Sequence, residues 1–566
     1  MEYQNSTFFN INSLLNTDLS NFSHLNVQLE NCQYLNNTVI LQLKNCLAEC
    51  LQLQTLILNL QFDGIQFQQM KLLTEGLPEY QNLNNLQLHL NENEILPETV
   101  SILGSFLKKC QQLTKLKIEI TENCIGSEGL TELSNAIQTI KNIQHLELQA
   151  GNNYIEDDGI LALSKALSHL SVQLTDLVIE LQQNQITEEG AYQIGEALSI
   201  CSHLKNLDLF LDTNKIGDRG ASSLFTGISK CTQLTSLKLD LLDNEIKDEG
   251  ACQFGEKIRC LQNITNIEIV LDNNGIRDNG ISSIVIGLSN CKLITILSLR
   301  LRQNKIDQKG ANEIGVAIST LSNLTNLVLY LCYNRLGYRG ASNFASGLSK
   351  CSQLKELSLS LNSNKIKDQG ANAIGVALSN CKNLKKLELW LNKNEISHIG
   401  ASGLATGLSN CTQIEFLLLN LQKNNIGVEG TCAIGITLSK YNNITDLTLG
   451  LNQNKIEDMG IYGIVKGLSN CSSIKTLSLT LYGNNLTSQG YSQIDQCIYS
   501  MKNLILLQCG LSDGEKLLKS KEILDCNNIK VLNIIPTNYQ SESEIMYHKI
   551  KALKIKRLVQ LQLEID

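Results

Sequence analysis

Every thirty residues along most of this chain, an Asn, a Gly and usually a Cys recur at fixed offsets. The stretch "LDLFLDTNKIGDRGASSLFTGISKC" (207–231) is followed by "LKLDLLDNEIKDEGACQFGEKIRC" (237–260) and "IEIVLDNNGIRDNGISSIVIGLSNC" (267–291). Thiols can pair as disulfides or ligate metal, and Gly-rich turns can cradle phosphate. Cys50, Cys110, Cys201, Cys231, Cys291, Cys351, Cys381, Cys411 and Cys471 share one repeat position near the end of a helical stretch. Equivalent positions on packed helices lie about 8–10 Å apart, whereas a disulfide needs Cα atoms within about 7 Å. No C-x-x-C occurs, and the 7 His (His24, His89, His145, His169, His203, His398, His548) never pair with the Cys series at zinc-ligand spacing. Reduced, buried thiols are the expectation. The chain lacks G-x-x-x-x-G-K-[ST], G-x-G-x-x-G, H-R-D and D-F-G, so neither phosphate binding nor kinase chemistry has a motif to stand on. No Ser/His/Asp constellation is signalled. The expectation is a non-enzyme with no cofactor and no metal.

The elements behind the pattern follow from its periodicity. Leu207, Leu209 and Leu211 alternate with Asp208, Phe210 and Asp212, a strand. Ala221, Leu224, Phe225 and Ile228 then fall at i, i+3, i+4 and i+7, a helix. Each unit is thus strand, turn and helix, and stacked units share one core. The repeat Asn runs Asn93, Asn123, Asn153, Asn184, Asn214, Asn244, Asn274, Asn304, Asn334, Asn364, Asn394, Asn424, Asn454 and Asn484, with Asp63 extending it backwards to about 15 units. Its amide is expected to satisfy the backbone of the turn that leaves each strand, as a ladder. Asp218, Asp248, Asp278, Asp368 and Asp458 read as helix N-caps. Gly190, Gly220, Gly250 and their successors read as permitting the turn into each helix. Small residues at Ala197, Gly227, Gly287, Ala317, Gly347, Ala377, Gly407 and Gly467 predict closely pressed helices.

The consensus L-x-x-L-x-L-x-L-x-x-N-x-I-x-x-x-G-A resembles the leucine-rich repeat over roughly residues 50 to 495. A helix in every unit, and the alternation of "GANAIGVALSNC" (from Gly370) with "GASGLATGLSNC" (from Gly400), resemble its ribonuclease-inhibitor-like subclass. An extra Leu-x pair lengthens each strand relative to that subclass. The resemblance implies an α/β leucine-rich-repeat solenoid, a horseshoe with parallel strands on the concave face and helices on the convex face. Residues 1–40 read as an N-terminal cap, 41–495 as the repeats, and 496–566 as degenerate repeats and a C-terminal cap, including the basic stretch "NYQSESEIMYHKIKALKIKRL".

Specificity would live in the residues between the leucines. The outward column reads Glu119, Gln149, Glu180, Phe210, Asp240, Val270, Arg300, Tyr330, Ser360, Trp390, Asn420, Gly450, Thr480, with Glu147, Asp208, Asp212, Glu268, Asp272 and Arg302 flanking it. Two candidate protein-binding zones emerge. One is acidic, through Glu180, Asp208, Asp212, Asp240, Glu268 and Asp272. The other joins Arg300, Arg302, Tyr330, Tyr333 and the single tryptophan, Trp390. Arg, Tyr and Trp are the types enriched in binding hot spots. The alternative is a solvated sheet face.

Lys+Arg 47 against Asp+Glu 55 gives a net charge of −8, which argues against nucleic acid and anionic membrane as partners. No signal-like start and no long apolar run are present, so a cytoplasmic, reducing setting is expected. The Asn-x-Ser/Thr triplets at Asn263 and Asn323 read as by-products of an Asn-rich composition that suggests a protist. The expected role is a scaffold that holds a partner protein on the concave face or joins a larger assembly, ciliary or cytoskeletal. The alternative is a regulator of another enzyme, such as a small-GTPase activator or an enzyme inhibitor.

Overall fold

The structure, a computed structural model, describes residues 4–29, 35–62, 64–511, 528–536 and 560–563. Asp63 and the stretch "NYQSESEIMYHKIKALKIKRL" lie outside the described residues. Two compact units, residues 1–276 and 277–566, divide the chain.

The first unit alternates β1 (Gln4–Phe8), α1 (Ile11–Leu15), β2 (Phe22–Gln28), α2 (Asn37–Glu49), β3 (Thr55–Asn59), α3 (Phe67–Thr74), β4 (Asn85–His89), α4 (Pro97–Leu107) and β5 (Lys115–Glu119). It continues through α5 (Gly126–Ile137), β6 (His145–Gln149), α6 (Asp157–Leu170), β7 (Asp176–Glu180), α7 (Glu188–Ser199), β8 (Asn206–Phe210), α8 (Gly217–Ile228), β9 (Ser236–Asp240), α9 (Asp248–Ile258) and β10 (Asn266–Val270). Consecutive strands pair in parallel, with Leu177, Leu207 and Leu237 in one register row. Residues 1–40 contribute β1 and β2, which carry the sheet on from β3.

The second unit runs α10 (Asp278–Ser289), β11 (Ile296–Arg300), α11 (Gln308–Ile318), β12 (Asn326–Tyr330), α12 (Gly337–Leu348), β13 (Glu356–Ser360), α13 (Lys367–Leu378), β14 (Lys386–Trp390) and α14 (His398–Leu408). It goes on through β15 (Phe416–Asn420), α15 (Gly427–Leu438), β16 (Asp446–Gly450), α16 (Glu457–Leu468), β17 (Thr476–Thr480), α17 (Ser488–Ser500), β18 (Leu506–Leu511), β19 (Val531–Pro536) and β20 (Gln560–Leu563). Its strands pair in order and in parallel through to β20. The helix α17 runs on to Ser500. Among the described residues, no helix is long and apolar enough to cross a membrane.

The strand leucines are buried and their alternate neighbours half-exposed, so each sheet has one core side and one open side. Backbone pairing runs on past the five-residue strands: Leu211 N donates to Asp240 O at 2.9 Å and Thr213 N to Leu242 O at 2.8 Å. The strand proper ends before the extra Leu-x pair, as β8 does at Phe210, and the pair carries the hydrogen bonding on into the turn instead of lengthening the strand.

The repeat Asn is the hub of each turn. Asn123 Nδ2 donates to the carbonyls of Leu90 at 3.0 Å and Ile120 at 2.9 Å, and its Oδ1 accepts from Asn93 N at 3.0 Å and Ile95 N at 2.8 Å. One side chain therefore closes its own turn and that of the preceding unit, the ladder expected from sequence. The residue before the Asn is held left-handed, as at Gln183, Thr213, Lys393 and Gln453, with φ of 52–57°.

Two sequence readings need correction. None of Asp218, Asp248, Asp278, Asp368 and Asp458 is an N-cap; each sits at the first or second position inside its own helix. Four of them reach into the following unit. Asp218 Oδ1 accepts from Lys247 N at 2.8 Å and Gly250 N at 2.7 Å, and Asp368 Oδ1 accepts from Ser397 N at 2.7 Å and Gly400 N at 3.0 Å. Asp278 does the same to Asp307 N and Gly310 N, and Asp458 to Thr487 N. Each carboxylate satisfies orphan N–H groups at the start of the next helix. The second correction concerns the recurrent Gly. Gly190, Gly220 and Gly250 are not left-handed. They are Gly because a Cβ would strike the preceding unit: at Gly250 it would lie 2.9 Å from Asp218 Oδ1, and at Gly220 2.9 Å from Glu188 Cα.

The small helical position is pressed as predicted, and the contact explains the sixty-residue alternation. A Cβ on Gly227 would lie 2.0 Å from the Gly195 carbonyl oxygen, on Gly347 2.0 Å from that of Gly315, on Gly407 1.8 Å from that of Gly375, and on Gly467 2.1 Å from that of Gly435. Helices thus touch backbone to backbone in pairs: α7 with α8, α11 with α12, α13 with α14, and α15 with α16.

The Cys series is buried and thiol-bearing; none of the 17 described cysteines is in a disulfide. Cys231, Cys411 and Cys471 point their thiols at the carbonyls of Leu198, Leu378 and Leu438, each at 3.2 Å. Tyr80 and Tyr441 reach the corresponding carbonyls of Leu47 and Leu408 through their hydroxyls at 2.9 Å. Burial pushes the thiol pKa of Cys201, Cys231, Cys381 and Cys411 up to about 12. Since the thiolate is the nucleophile, iodoacetamide at pH 8 is expected to label the exposed Cys124 and Cys260 first. The buried series should label only with unfolding; peptide mapping of modified cysteines before and after guanidinium checks this.

Candidate functional site

The sheet face of the second unit brings four of the five sequence-selected residues into one cluster. Tyr330 and Trp390 end β12 and β14, and the strand between them places Ser360 in register with both. A serine there leaves room for the rings to meet: their centroids lie 5.8 Å apart, edge to face at 80°. This is a favoured aromatic geometry. The guanidinium carbons of Arg300 and Arg302 stand 5.4 and 5.8 Å from the Tyr330 ring centroid, within cation–π range. Tyr333 stands apart. It occupies the left-handed position before Asn334 at φ 56°, 53% exposed, and among the described residues no ring contact joins it to Tyr330.

Sequence reasoning missed four members of this cluster. Tyr330 Oη lies 3.2 Å from Ser358 Oγ, and Ser358 Oγ donates to Glu388 Oε2 at 2.9 Å. The other oxygen of Glu388 pairs with Lys386 Nζ at 2.9 Å, and that ammonium lies 5.2 Å from the Phe416 ring centroid. A serine hydroxyl has one proton. Spent on Glu388, it leaves Ser358 to accept from Tyr330, so the Tyr330 hydroxyl donates inward and offers lone pairs outward. The Glu388 hydrogen bond holds the Lys386 ammonium pKa above the ordinary lysine value. Sequence puts Lys386 and Glu388 at outward positions of the strand that ends in Trp390, but only the strand register sets Glu388 beside Ser358.

The sheet face of the first unit is acidic. Glu180, Phe210 and Asp240 share a register row on β7, β8 and β9. Burial, with the charges of Glu147 and Glu119, raises the Glu180 pKa. Burial also raises Asp208, against the pull of Lys238 at 3.7 Å, and raises Asp212. Asp240 Oδ1 accepts from Leu242 N at 3.0 Å, closing the turn after its strand. Asp272 departs from expectation: at 3% exposed it offers no surface to a partner. Beside this row is a network that sequence columns only half revealed. His89 Nδ1 lies 2.6 Å from Glu119 Oε2, and Lys117 Nζ bridges Glu119 and Glu147 at 2.7 and 2.8 Å. Burial pushes the Glu119 carboxyl up, but bonding to His89 and Lys117 outweighs it and leaves the pKa lowered.

The sign for Glu180 is definite. A carboxyl raised on folding contributes its stability below the unfolded pKa and loses it as pH rises through the folded one. Glu180→Gln is therefore expected to raise the melting temperature at pH 7 and to leave it unchanged near pH 3. Thermal melts across that range check it.

Among the described residues, no group of three or more His, Cys, Asp or Glu is placed to hold a metal ion. Stacked strand–turn–helix units on an Asn ladder, with a parallel sheet on one side and helices on the other, define an α/β leucine-rich-repeat solenoid. Residues 354–375 match the family model described as Leucine Rich repeat. No curated protein matches the chain. Solved structures that resemble it include one titled as the Rad7 and Elc1 complex in yeast, 14% identical, covering 79% of this chain and 90% of that one at a TM-score of 0.35. Another is titled as a TLR13–ssRNA13 complex, 15% identical, covering 98% of this chain and 83% of that one at a TM-score of 0.43.

Proposed function

We propose that this protein is a non-catalytic interaction scaffold whose second unit holds a partner protein on its open sheet face. One observation carries the reading: Arg300, Tyr330 and Trp390 on three strands, with Arg302 just past the first of them, converge in ring and guanidinium contacts that the core does not require. Aromatic and Arg anchors with ordered neighbours are what binding hot spots are made of. The partner group that meets Tyr330 is a hydrogen-bond donor, because the hydroxyl proton is already turned inward. The acidic face of the first unit is proposed as a second, basic-seeking surface through Glu180, Asp208, Phe210, Asp212 and Asp240.

Within the repeat class, a helix in every unit and the pairwise alternation support a ribonuclease-inhibitor-like arrangement. A thiol that serves as a hydrogen-bond donor is lost on oxidation, which supports a reducing, cytoplasmic setting, with a ciliary or cytoskeletal assembly as the proposed context. Affinity purification from the native cell, comparing wild type with Tyr330→Ala/Trp390→Ala, tests the surface. Loss of at least one wild-type partner is expected; survival of every partner would remove the Arg–aromatic face as the interface.

A further inference from the structure

The Tyr330–Trp390 contact is set by neighbouring strands. Tyr330 projects from β12 over β13, and its hydroxyl is fixed by Ser358, whose proton is in turn fixed by Glu388 on β14. Ser358 and Glu388 are register partners, so the link needs no loop. Glu388 is itself held at both oxygens, by Ser358 and by Lys386, which lies against Phe416 on β15. Four consecutive strands thus contribute to one orientation of one ring.

From this geometry we infer that Glu388 is a positioning residue of the partner-binding face. Acting through Ser358, it locks the Tyr330 ring edge-on against Trp390 before any partner arrives. A ring pair without this lock would have to be ordered on binding, at an entropic cost that pre-organisation removes. The inference deepens the reading of this face as a partner surface, and its purpose rests on that reading.

Trp390 is the only tryptophan in the chain, so its emission reports this contact alone. Intrinsic fluorescence and acrylamide quenching of the full chain should be compared for wild type, Ser358→Ala, Glu388→Ala and Glu388→Gln, with far-UV circular dichroism confirming the fold. Ser358→Ala and Glu388→Ala are expected to shift emission to longer wavelength and to increase quenching, as Tyr330 swings off the indole. Glu388→Gln keeps an acceptor for Ser358 and should retain the wild-type spectrum. Tyr330→Phe, which deletes only the hydroxyl, should behave as Ser358→Ala and serves if either alanine variant misfolds. Unchanged emission in the folded alanine variants, or Glu388→Gln shifted as far as Glu388→Ala, would overturn the inference. No partner is needed for this measurement, so the two proposals fail separately. Unchanged spectra remove the lock, and partners that survive Tyr330→Ala/Trp390→Ala remove the surface.

Discussion

Gly407→Ala is expected to destabilise the second unit by about 2 kcal/mol, although alanine is the better helix former. Propensity alone would stabilise α14 by roughly 1 kcal/mol. The new methyl, however, would stand 1.8 Å from the Gly375 carbonyl oxygen and 2.2 Å from its carbon. Backbone cannot rotate away as a side chain can, so α13 and α14 must separate. Overpacking of this kind costs about 1–3 kcal/mol and occasionally more. Gly403→Ala is the internal control: its methyl first meets the Asn372 side-chain oxygen at 2.3 Å, the end of an exposed chain that can turn aside. Denaturant titration should rank Gly407→Ala well below Gly403→Ala. Equal stabilities would show that the paired helices are not in backbone contact.

Asn394→Leu should be more damaging still. Asn394 is fully buried. Its Oδ1 accepts from Asn364 N at 3.0 Å and Ile366 N at 3.3 Å, and its Nδ2 donates to Leu361 O at 2.9 Å and Asn392 O at 3.2 Å. Leucine is near in volume but leaves the buried N–H groups of Asn364 and Ile366 without an acceptor, while the two carbonyls keep other donors, Asn364 Nδ2 on Leu361 O and Ser363 N on Asn392 O. Two orphaned N–H groups at about 1–3 kcal/mol each put the expected loss at about 4 kcal/mol. Hydrogen exchange should show it locally, with the amides of Asn364 and Ile366 losing protection first. Protection that stays at wild-type level there would mean that the ladder is decorative.

The sequence was most legible where chemistry and spacing coincide in one unit. Strand leucines, helix periodicity, the Asn ladder and the buried thiols all follow from the consensus, because each needs only its own repeat and an identical neighbour. Readings failed where the partner lies one unit away and is of another type. Asp368 looked like a cap for α13 because it stands at its start, yet the N–H groups it satisfies belong to Ser397 and Gly400. The recurrent Gly looked like a turn residue for the same reason. In the candidate site, Arg300, Tyr330 and Trp390 were visible as unusual types in the outward column. Glu388 and Lys386 were not, since a Lys-x-Glu on a strand face reads as ordinary solvent charge until register sets Glu388 beside Ser358. Nor does the consensus mark the division between residues 276 and 277, where the thirty-residue spacing passes without a break.

The backbone contact between paired helices also fixes how such a chain can grow or shrink. The two members of a pair are not interchangeable: Gly375 of α13 receives Gly407 of α14, and Gly435 of α15 receives Gly467 of α16. Excising one thirty-residue repeat would set two helices of like kind side by side and leave the helix at the cut without the neighbour its glycine receives, as α13 would be without α14. Excising or duplicating sixty residues would leave each junction chemically identical to the one it replaced. The heritable module of this solenoid is therefore the doublet, and changes in its length should come in even numbers of repeats.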